Sequence, residues 1–470
     1  MEKVKKNYII YVLYQVVLLI FPLITFPYVS RVLGVHNYGI YNYFYTIVTY
    51  FLIFARLGIF NYGAREIAEN NVSSERLTKT FRNIFVVQFF LTSIILILYI
   101  LFCFTFLNDN IEFSLIYCMF LISNYFELSW FLQGVQDFKG LAIRNLLIAL
   151  IQTPIIFLII KNDGDLFIYA ILMGLVKVIA NLLIMLKLKK YISFKGLFVD
   201  KGIDFKKHFC GMVVLFVPIL ATNIYSLMDE ILIGNLSAMG QVGLYAVAKR
   251  IMYIPLALIT PLAMIMLPYI SEAKSKGLKV NQYDKENALL FTFWIGIACS
   301  FGLYYISSDI INIFFTSEYK DSIVLIQILA FYSFFYVIAV LLRDVYFLPN
   351  HKDKQFVLTV IFGIPINICI SILLIPKYGA MGAACSIFIS EGLVLLLRLF
   401  LIRRELDWKS IIKPCIIFFV SAVIMYYSAL VFEIKTNILI VDLIVDIVLC
   451  VLVYFSLTGD IILKMIKKRY

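Results

Sequence analysis

Charged residues are scarce in this sequence, and their scarcity excludes a soluble globular protein. Asp, Glu, Lys and Arg make up 15% of the 470 residues, whereas hydrophobic residues make up 63%. A typical soluble domain contains about 25% charged residues. Apolar runs of about 20 residues, long enough to cross a bilayer, recur along the whole length and leave no room for a soluble domain. We therefore expect an integral membrane protein.

The sequence also lacks the usual motifs for metal binding, disulfides and nucleotide hydrolysis. Its eight cysteines are scattered through apolar runs, form no CxxC pair and do not group with the three histidines, so we interpret them as packing residues. No GxxxxGK[ST] motif is present, which argues against direct use of ATP. The first apolar run, Tyr8 to Val29, is too long for a signal peptide and has no small-residue cleavage site. We expect no cofactor, no metal and no cleaved leader.

Hydropathy predicts fourteen transmembrane spans. Their expected positions are residues 8–30, 38–60, 83–106, 113–135, 141–160, 166–188, 209–234, 245–268, 288–308, 323–348, 356–375, 379–402, 411–432 and 437–457. The predicted loop between the first two spans includes the sequence VHNYGIYNY.

The distribution of Lys and Arg predicts the orientation of these spans. With the N-terminus in the cytoplasm, most basic residues fall at inner ends and inner loops, and few fall outside. This is the positive-inside pattern, and an even number of spans then puts both termini in the cytoplasm. The outer set is Arg31, Lys161, Lys320, Lys377 and Lys435. Basic loops facing anionic lipid account for the net charge of +12, so no nucleic acid is expected as a partner.

A basic cytoplasmic linker at 191–208 divides the chain into two lobes. The N-terminal lobe, 1–190, and the C-terminal lobe, 209–404, hold six spans each, and residues 405–470 hold helices 13 and 14 with a basic tail. Six spans per lobe give both lobes the same orientation, as in parallel repeats. Short matches support a repeat: FPLI resembles VPIL, and YGIYNYF resembles VGLYAVA. The predicted fold is all-α, with two pseudo-symmetric six-helix lobes and two C-terminal helices.

Several charged residues fall inside predicted spans, where they are costly unless they pair or face a wet cavity. Asp229 and Glu230 precede the turn between spans 7 and 8, and Lys249 and Arg250 follow it. They form either an ion-pair cluster that packs the two helices or a set with cations exposed to a cavity. Arg56, one turn inside the inner boundary of span 2, either snorkels to the headgroups or faces the cavity and an anionic substrate.

Buried carboxylates must pair, bind a cation or take up a proton, so they are candidates for ion coupling. Prolines inside spans 1 and 7 are candidates for gating because proline bends membrane helices. The coupling candidates are Glu127, Asp229, Glu230 and Glu391, and the gating candidates are Pro22, Pro27 and Pro218.

Four motifs, in this order and spacing, carry a family resemblance. They are SRVLGVHNYGIYNY with LGIFNYGAREIA, WFLQGVQDFK followed by IRN, DEILIGNLSAMGQVGLYAVAKRI, and KYGAMGAACS. Over nearly the whole chain the sequence resembles the Wzx-type polysaccharide-unit flippases, in the MOP superfamily that also holds the MATE drug exporters and the lipid II flippases. Gln136 departs from the pattern, since Glu is common there. Arg56 departs as well, since many relatives have an acidic or small residue.

The resemblance implies a function and a site. Similar proteins are transporters, not enzymes. They move undecaprenyl-diphosphate-linked oligosaccharides to the outer leaflet of the bacterial plasma (inner) membrane by alternating access, for O-antigen, capsule or exopolysaccharide synthesis. We expect the protein to be a monomer. Its expected partners are a polysaccharide polymerase, a chain-length regulator and membrane lipids. Arginines on helices 1, 2 and 8 of similar flippases line a cationic cavity, which points to Arg31, Arg56 and Arg250. We add Lys177 and Lys249 as cations that would attract the diphosphate. Helices 13 and 14 resemble a pair that guides the lipid tail.

Two other functions fit the general pattern less well. A cation-coupled MATE-like exporter of small molecules would have twelve spans and fewer cations in its cavity. A membrane-embedded polysaccharide polymerase or glycosyltransferase would have a sizeable outer loop with catalytic residues. The longest predicted outer loop here, Ser308 to Ser322, is short, and no His lies near its acids. The sequence does not identify the sugars or the coupling ion.

Overall fold

The computed structural model describes residues 2–70, 73–188, 190–192, 205–275, 282–350, 352–432 and 438–467. In these ranges the regular structure is helical and no strand occurs. Eleven helical segments among the described residues are long and apolar enough to cross a membrane. The prediction of an all-α membrane protein is confirmed.

Nine α-helices occupy the first half of the described chain. They are α1 (Glu2–Arg56), α2 (Ile59–Asn70), α3 (Ser74–Phe106), α4 (Ile111–Ile116), α5 (Cys118–Asn124), α6 (Ser129–Gly134), α7 (Phe138–Ile159), α8 (Leu166–Leu188) and α9 (Phe205–Leu236).

Seven further α-helices follow in the described part of the second half, with a π-helical turn (Arg343–Phe347) after α12. They are α10 (Met239–Ser275), α11 (Gln282–Phe314), α12 (Ser322–Leu342), α13 (Asp353–Tyr378), α14 (Ala380–Leu401), α15 (Trp408–Val431) and α16 (Leu439–Lys467).

Three predicted spans differ from the structure in detail. The first two spans lie on α1, which bends at Gly34 instead of opening into the predicted loop. Gly34 has φ 72° and ψ 170°, a conformation that glycine adopts readily because it has no Cβ. The fourth span is not one helix but three, α4, α5 and α6, and the break between α5 and α6 contains Glu127.

The chain forms two compact units, Met1–Leu227 and Met228–Tyr470, whose boundary falls inside α9. Most of the predicted linker, 193–204, lies outside the described residues, so the predicted lobe boundaries stay predictions.

The core of the first unit includes an aromatic cluster where α2, α3 and α6 meet. The Trp130 ring on α6 stacks on Phe81 of α3, with ring centroids 5.7 Å apart. A Cβ on Gly63 of α2 would lie 2.5 Å from Trp130 Cε3, so only glycine allows this approach. The three helices therefore fix the position of the Trp130 indole.

In the second unit, α15 and α16 pack on α11 and belong to the same body. The Trp294 indole N–H donates to Thr458 Oγ1 at 2.8 Å, and the Tyr454 hydroxyl donates to the Trp294 carbonyl at 2.9 Å. The Tyr305 hydroxyl donates to the Ala429 carbonyl at 3.0 Å. Hydrogen bonds inside an apolar packing region fix the register of the C-terminal pair.

A matched contact occurs in both units, as expected of an internal repeat. Asn37 directly precedes YGIYNYF and donates from Nδ2 to the Asp163 carbonyl, between α7 and α8, at 2.9 Å. Gln241 directly precedes VGLYAVA, and its Oε1 accepts from the Ala380 N–H, between α13 and α14, at 2.9 Å. In each unit an amide side chain directly before the repeated sequence bonds to the backbone where the fifth predicted span of the lobe is followed by the sixth.

Candidate functional site

The break between α5 and α6 is the most unusual backbone feature in the described membrane-spanning segments. The helix stops at Asn124 and restarts at Ser129, and the Glu127 N–H donates to the Asn124 carbonyl at 3.2 Å. Gln88 on α3 donates from Nε2 to the carbonyls of Asn124, at 2.6 Å, and of Glu127, at 3.1 Å. Interrupted helices persist at membrane depth where protein groups or water satisfy their backbone, and they often form binding sites.

Arg56, at the end of α1, is bonded to this break. Its Nε donates to Asn124 Oδ1 at 3.2 Å, and Asn124 in turn donates from Nδ2 to Thr92 Oγ1 at 2.9 Å. Asn124 is buried, whereas Arg56 is exposed. A buried amide thus orients a cation that remains accessible to a ligand.

Glu127 lies in the break itself and is half-buried. Its Oε1 accepts hydrogen bonds from the backbone N–H and the hydroxyl of Ser129. The positive charges of Arg56, Arg144 and Lys177 all act on this carboxylate. Three cations near one anion leave an excess of positive charge around the break, which suits an anionic ligand.

The two other cations come from α7 and α8. Lys177 is exposed and Arg144 is half-buried, with its Nε donating to Asn145 Oδ1 at 2.8 Å. Sequence reasoning placed Lys177 in the cationic set but missed Arg144, because Arg144 falls close to the inner boundary of a predicted span. Its place in the IRN segment after WFLQGVQDFK was the available signal.

In the second unit, the predicted charge cluster contains a buried ion pair. Lys249 Nζ lies 2.8 Å from Glu230 Oε1, and both side chains are almost fully buried. The Tyr245 hydroxyl donates to Asp229 Oδ2 at 2.7 Å. This is the pairing that the packing alternative predicted, and it joins α9 to α10.

Asp229 differs from its neighbours because one of its oxygens is unsatisfied. The residue is 0% exposed, and Oδ1 has no hydrogen-bond partner among the described residues. The Asn367 side chain on α13 also interacts with Asp229, and Ser371, one turn further along α13, has a buried hydroxyl without a described partner. Oxygen atoms of this kind can accept a proton or a monovalent cation. No group of three His, Cys, Asp or Glu residues suited to a metal occurs in the part of the chain that the structure describes.

Glu391 is held by an arginine two turns later on the same helix. Arg398 Nη1 lies 3.6 Å from Glu391 Oε1, and both residues are buried. Arg398 also donates from Nε to Thr359 Oγ1 at 3.0 Å and lies over the Phe356 ring at 4.9 Å. These contacts give the pair a packing role between α13 and α14.

The remaining predicted residues are two arginines and three prolines. Arg31 and Arg250 are exposed. Pro27 lies inside α1, while the side chains of Pro22 and Pro218 are not among the described ones. The bend in α1 is at Gly34, seven residues after Pro27.

A polar cluster outside the membrane-spanning segments ties α8 to the turn before α7. Asp137 accepts from Lys187 Nζ at 2.8 Å, from the Tyr191 hydroxyl at 3.0 Å and from the Gly140 N–H at 2.9 Å. Partial burial raises the pKa of Asp137, but these hydrogen bonds outweigh it, so the pKa lies below its usual value. Gln136, the departure from the family pattern, precedes this carboxylate at φ 60°.

Sequence comparisons identify relatives along most of the chain. The family described as polysaccharide biosynthesis protein matches residues 4–274. A putative O-antigen transporter of Escherichia coli K12 is 22% identical over 388 residues, which is 82% of this chain and 93% of the relative. A putative O-antigen transporter of Shigella dysenteriae is 23% identical over 404 residues, 84% of this chain and 99% of that protein.

Solved structures share the fold at low sequence identity. The lipid II flippase MurJ, in an inward closed conformation, has a TM-score of 0.74 and 18% identity, covering 98% of this chain and 99% of its own. An inward-facing multidrug MATE transporter of the MOP superfamily has a TM-score of 0.60 and 13% identity, covering 84% and 94%. These matches confirm the predicted fold class and the predicted resemblance to Wzx-type flippases, and the relatives are named as transporters and flippases rather than enzymes. The chain therefore belongs to the polysaccharide biosynthesis protein family and shares its fold with the lipid II flippase MurJ and a MATE transporter.

Proposed function

We propose that this protein is a flippase for a lipid-linked saccharide, and specifically that it moves undecaprenyl-diphosphate-linked oligosaccharide repeat units from the cytoplasmic to the outer leaflet by alternating access. The observation that carries the proposal is the group of cations, Arg56, Arg144 and Lys177, at the broken fourth span. The near full-length relatives named as O-antigen transporters support it.

The substrate would have a diphosphate and sugars at one end and a long apolar chain at the other. Transfer of the charged end through hydrocarbon would be very unfavourable. Arg and Lys side chains offer charge-assisted contacts to phosphate oxygens, and Arg can make two at once. The isoprenoid chain can remain among the lipids while the cations accompany the headgroup.

The other predicted cations have smaller roles in the proposed transport. Arg31 and Arg250 are exposed and would contact the substrate as it moves. Lys249 would have to leave Glu230 before it could bind a phosphate, so we assign it a structural role in the state described here. Pro22, Pro27 and Pro218 remain gating candidates, joined by Gly34 at the bend in α1.

Transport against a gradient needs energy, and we propose that carboxylates couple it to proton or sodium movement. Asp229 is the strongest candidate because its buried Oδ1 has no hydrogen-bond partner among the described residues, and such an oxygen favours proton or cation uptake. Glu127 is the second, since it lies among the proposed substrate cations. Glu230 and Glu391 are paired with Lys249 and Arg398, so their participation would require those pairs to open.

The same proposal places the protein in the bacterial inner membrane with both termini in the cytoplasm. We expect it to act as a monomer beside a polysaccharide polymerase and a chain-length regulator.

The test is complementation of a strain that lacks its own flippase and makes a repeat unit that this protein transports. Arg56→Ala and Arg144→Ala should each abolish surface polysaccharide while the protein reaches normal levels in the membrane. Lys161→Ala, which removes an exposed cation from the same unit, should complement normally. Normal surface polysaccharide in both arginine variants would refute the proposed cation site.

A further inference from the structure

Gln88 is a buried glutamine in the apolar part of α3. It is 2% exposed, and it makes three hydrogen bonds at the break in the fourth span. Its Nε2 donates to the carbonyls of Asn124 and Glu127, at 2.6 and 3.1 Å. Its Oε1 accepts from the Trp130 indole N–H at 3.0 Å. One side chain therefore contacts the end of α5, the break and the start of α6.

The surrounding groups determine the orientation of the Gln88 amide. A reversed amide would direct its oxygen at two carbonyl oxygens and its NH₂ group at an indole N–H, so every contact would become repulsive. The Trp130 indole cannot move aside to relieve this, because it stacks on Phe81 and touches Gly63.

The break needs these hydrogen bonds. Where a helix is interrupted in a membrane, its carbonyls lose their regular partners, and each unsatisfied group costs several kcal/mol. Gln88 supplies a donor to the last carbonyl of α5 and to a carbonyl inside the break, and it accepts from Trp130 on α6. It thereby sets the position of the end of α5 relative to the start of α6.

That position decides where two functional side chains point. Asn124 presents Oδ1 to Arg56, and Glu127 lies among the charges of Arg56, Arg144 and Lys177. We infer that Gln88 is a positioning residue, which holds the break so that Asn124 and Glu127 orient the cations for the anionic headgroup. The inference rests on the proposed function, since it concerns the same site.

A double-mutant cycle on the full-length protein tests the inference. The probe is undecaprenyl diphosphate in detergent micelles, and the measurement is its dissociation constant for the wild type, Gln88→Leu, Arg56→Ala and the double variant. We expect Gln88→Leu to weaken binding about tenfold, because buried carbonyls lose their donor and the site relaxes. On the Arg56→Ala background the same change should cost less than about twofold, since residues that act through one another are not additive.

Gln152→Leu is the matched control. This half-buried glutamine on α7 also bonds inside the first unit, but it donates to Met173 Sδ on α8, at 3.1 Å, rather than to the break. Its replacement should leave the dissociation constant unchanged. Repeating the cycle with Gln88→Met, which has a side chain of similar length without an N–H or O–H donor, provides a second variant.

The outcomes distinguish the positioning role of Gln88 from the proposed function. An equal loss on both backgrounds, or no loss, would overturn the positioning role of Gln88. If neither Gln88 variant accumulates as folded protein, Gln88 determines the fold rather than the site, and the inference is also wrong. If the wild type does not bind undecaprenyl diphosphate at all, the proposed function fails, and the inference falls with it.

Discussion

Asp137 shows how a single carboxylate can join helices outside the apolar region. Lys187 and Tyr191 reach it from the end of α8, and the Gly140 N–H reaches it from the first turn of α7. The Asp137 side chain is mostly shielded while Lys187 is partly exposed, so solvent weakens the ion pair. The cluster therefore contributes modestly to stability and mainly fixes the turn that follows WFLQG.

We predict that Asp137→Asn lowers stability near neutral pH by about 1 kcal/mol. The pKa of Asp137 in the folded protein is below its unfolded value of about 3.9, so its contribution is complete above that value and is lost as the pH falls through the folded pKa. Melting temperatures of purified wild type and variant should therefore differ near pH 7 and converge below about pH 4.

The control for this prediction is Asp109→Asn, which removes an exposed carboxylate from the same unit and should not change the melting temperature. A gap between wild type and Asp137→Asn that stays constant down to acid pH would show that the charge of Asp137 is not the cause.

At the scale of helices, the contact of α2 with α6 depends on the absence of a side chain. Gly63 leaves room for Trp130, and Gly134 similarly leaves room for Ile67, where a Cβ would lie 2.6 Å from Ile67 Cβ. These two contacts bring α2 against the short helix that begins after the break. The packing of α2 therefore supports the position of the indole that bonds to Gln88.

We predict that Gly63→Ala destabilises the protein by about 1–3 kcal/mol, because the added Cβ would overlap the Trp130 ring. It should also reduce complementation, since a displaced indole loosens the Gln88 contact. Thermal unfolding in detergent and surface polysaccharide in the null strain measure the two effects.

Gly302→Ala on α11 is the comparison, because a Cβ there meets nothing within 4 Å and alanine favours helix. Equal melting temperatures for Gly63→Ala and the wild type would mean that the aromatic cluster accommodates the extra carbon.

The limits of sequence reasoning are visible in these same elements. Hydropathy located the helices because it depends only on composition, and the pair of Glu230 and Lys249 was foreseeable because a short turn connects their helices. The break at Glu127 was missed because the fourth span is long and apolar enough overall to cross a membrane, although Ser123, Asn124 and Ser129 near the break are polar. Gln88 and Arg144 were missed because their partners are distant in sequence, and only the folded chain brings α3 and α7 to the broken helix.

At the scale of the whole molecule, the two units hold different kinds of charge. In the first unit an accessible group of cations surrounds Glu127, whereas in the second unit Glu230 and Glu391 are buried and paired with Lys249 and Arg398. Accessible cations suit a substrate that must bind and be released in each transport cycle. A buried, partly satisfied acid such as Asp229 suits a small ion. We therefore assign substrate binding to the first unit and ion coupling to the second.

This division predicts that Asp229→Asn separates coupling from binding. In proteoliposomes with a fluorescent saccharide on undecaprenyl diphosphate, wild-type transport should rise when a proton or sodium gradient is applied. Asp229→Asn should abolish that response, because an amide keeps the hydrogen bond from Tyr245 but cannot take up a proton or neutralise a cation. Its affinity for undecaprenyl diphosphate should stay within about twofold of the wild type, since the proposed binding cations belong to the first unit and Asp229 to the second. Glu112→Gln, which removes an exposed acid, should retain the full response. If the wild type ignores both gradients, coupling through carboxylates is wrong, and if Asp229→Asn still responds, the coupling ion binds elsewhere.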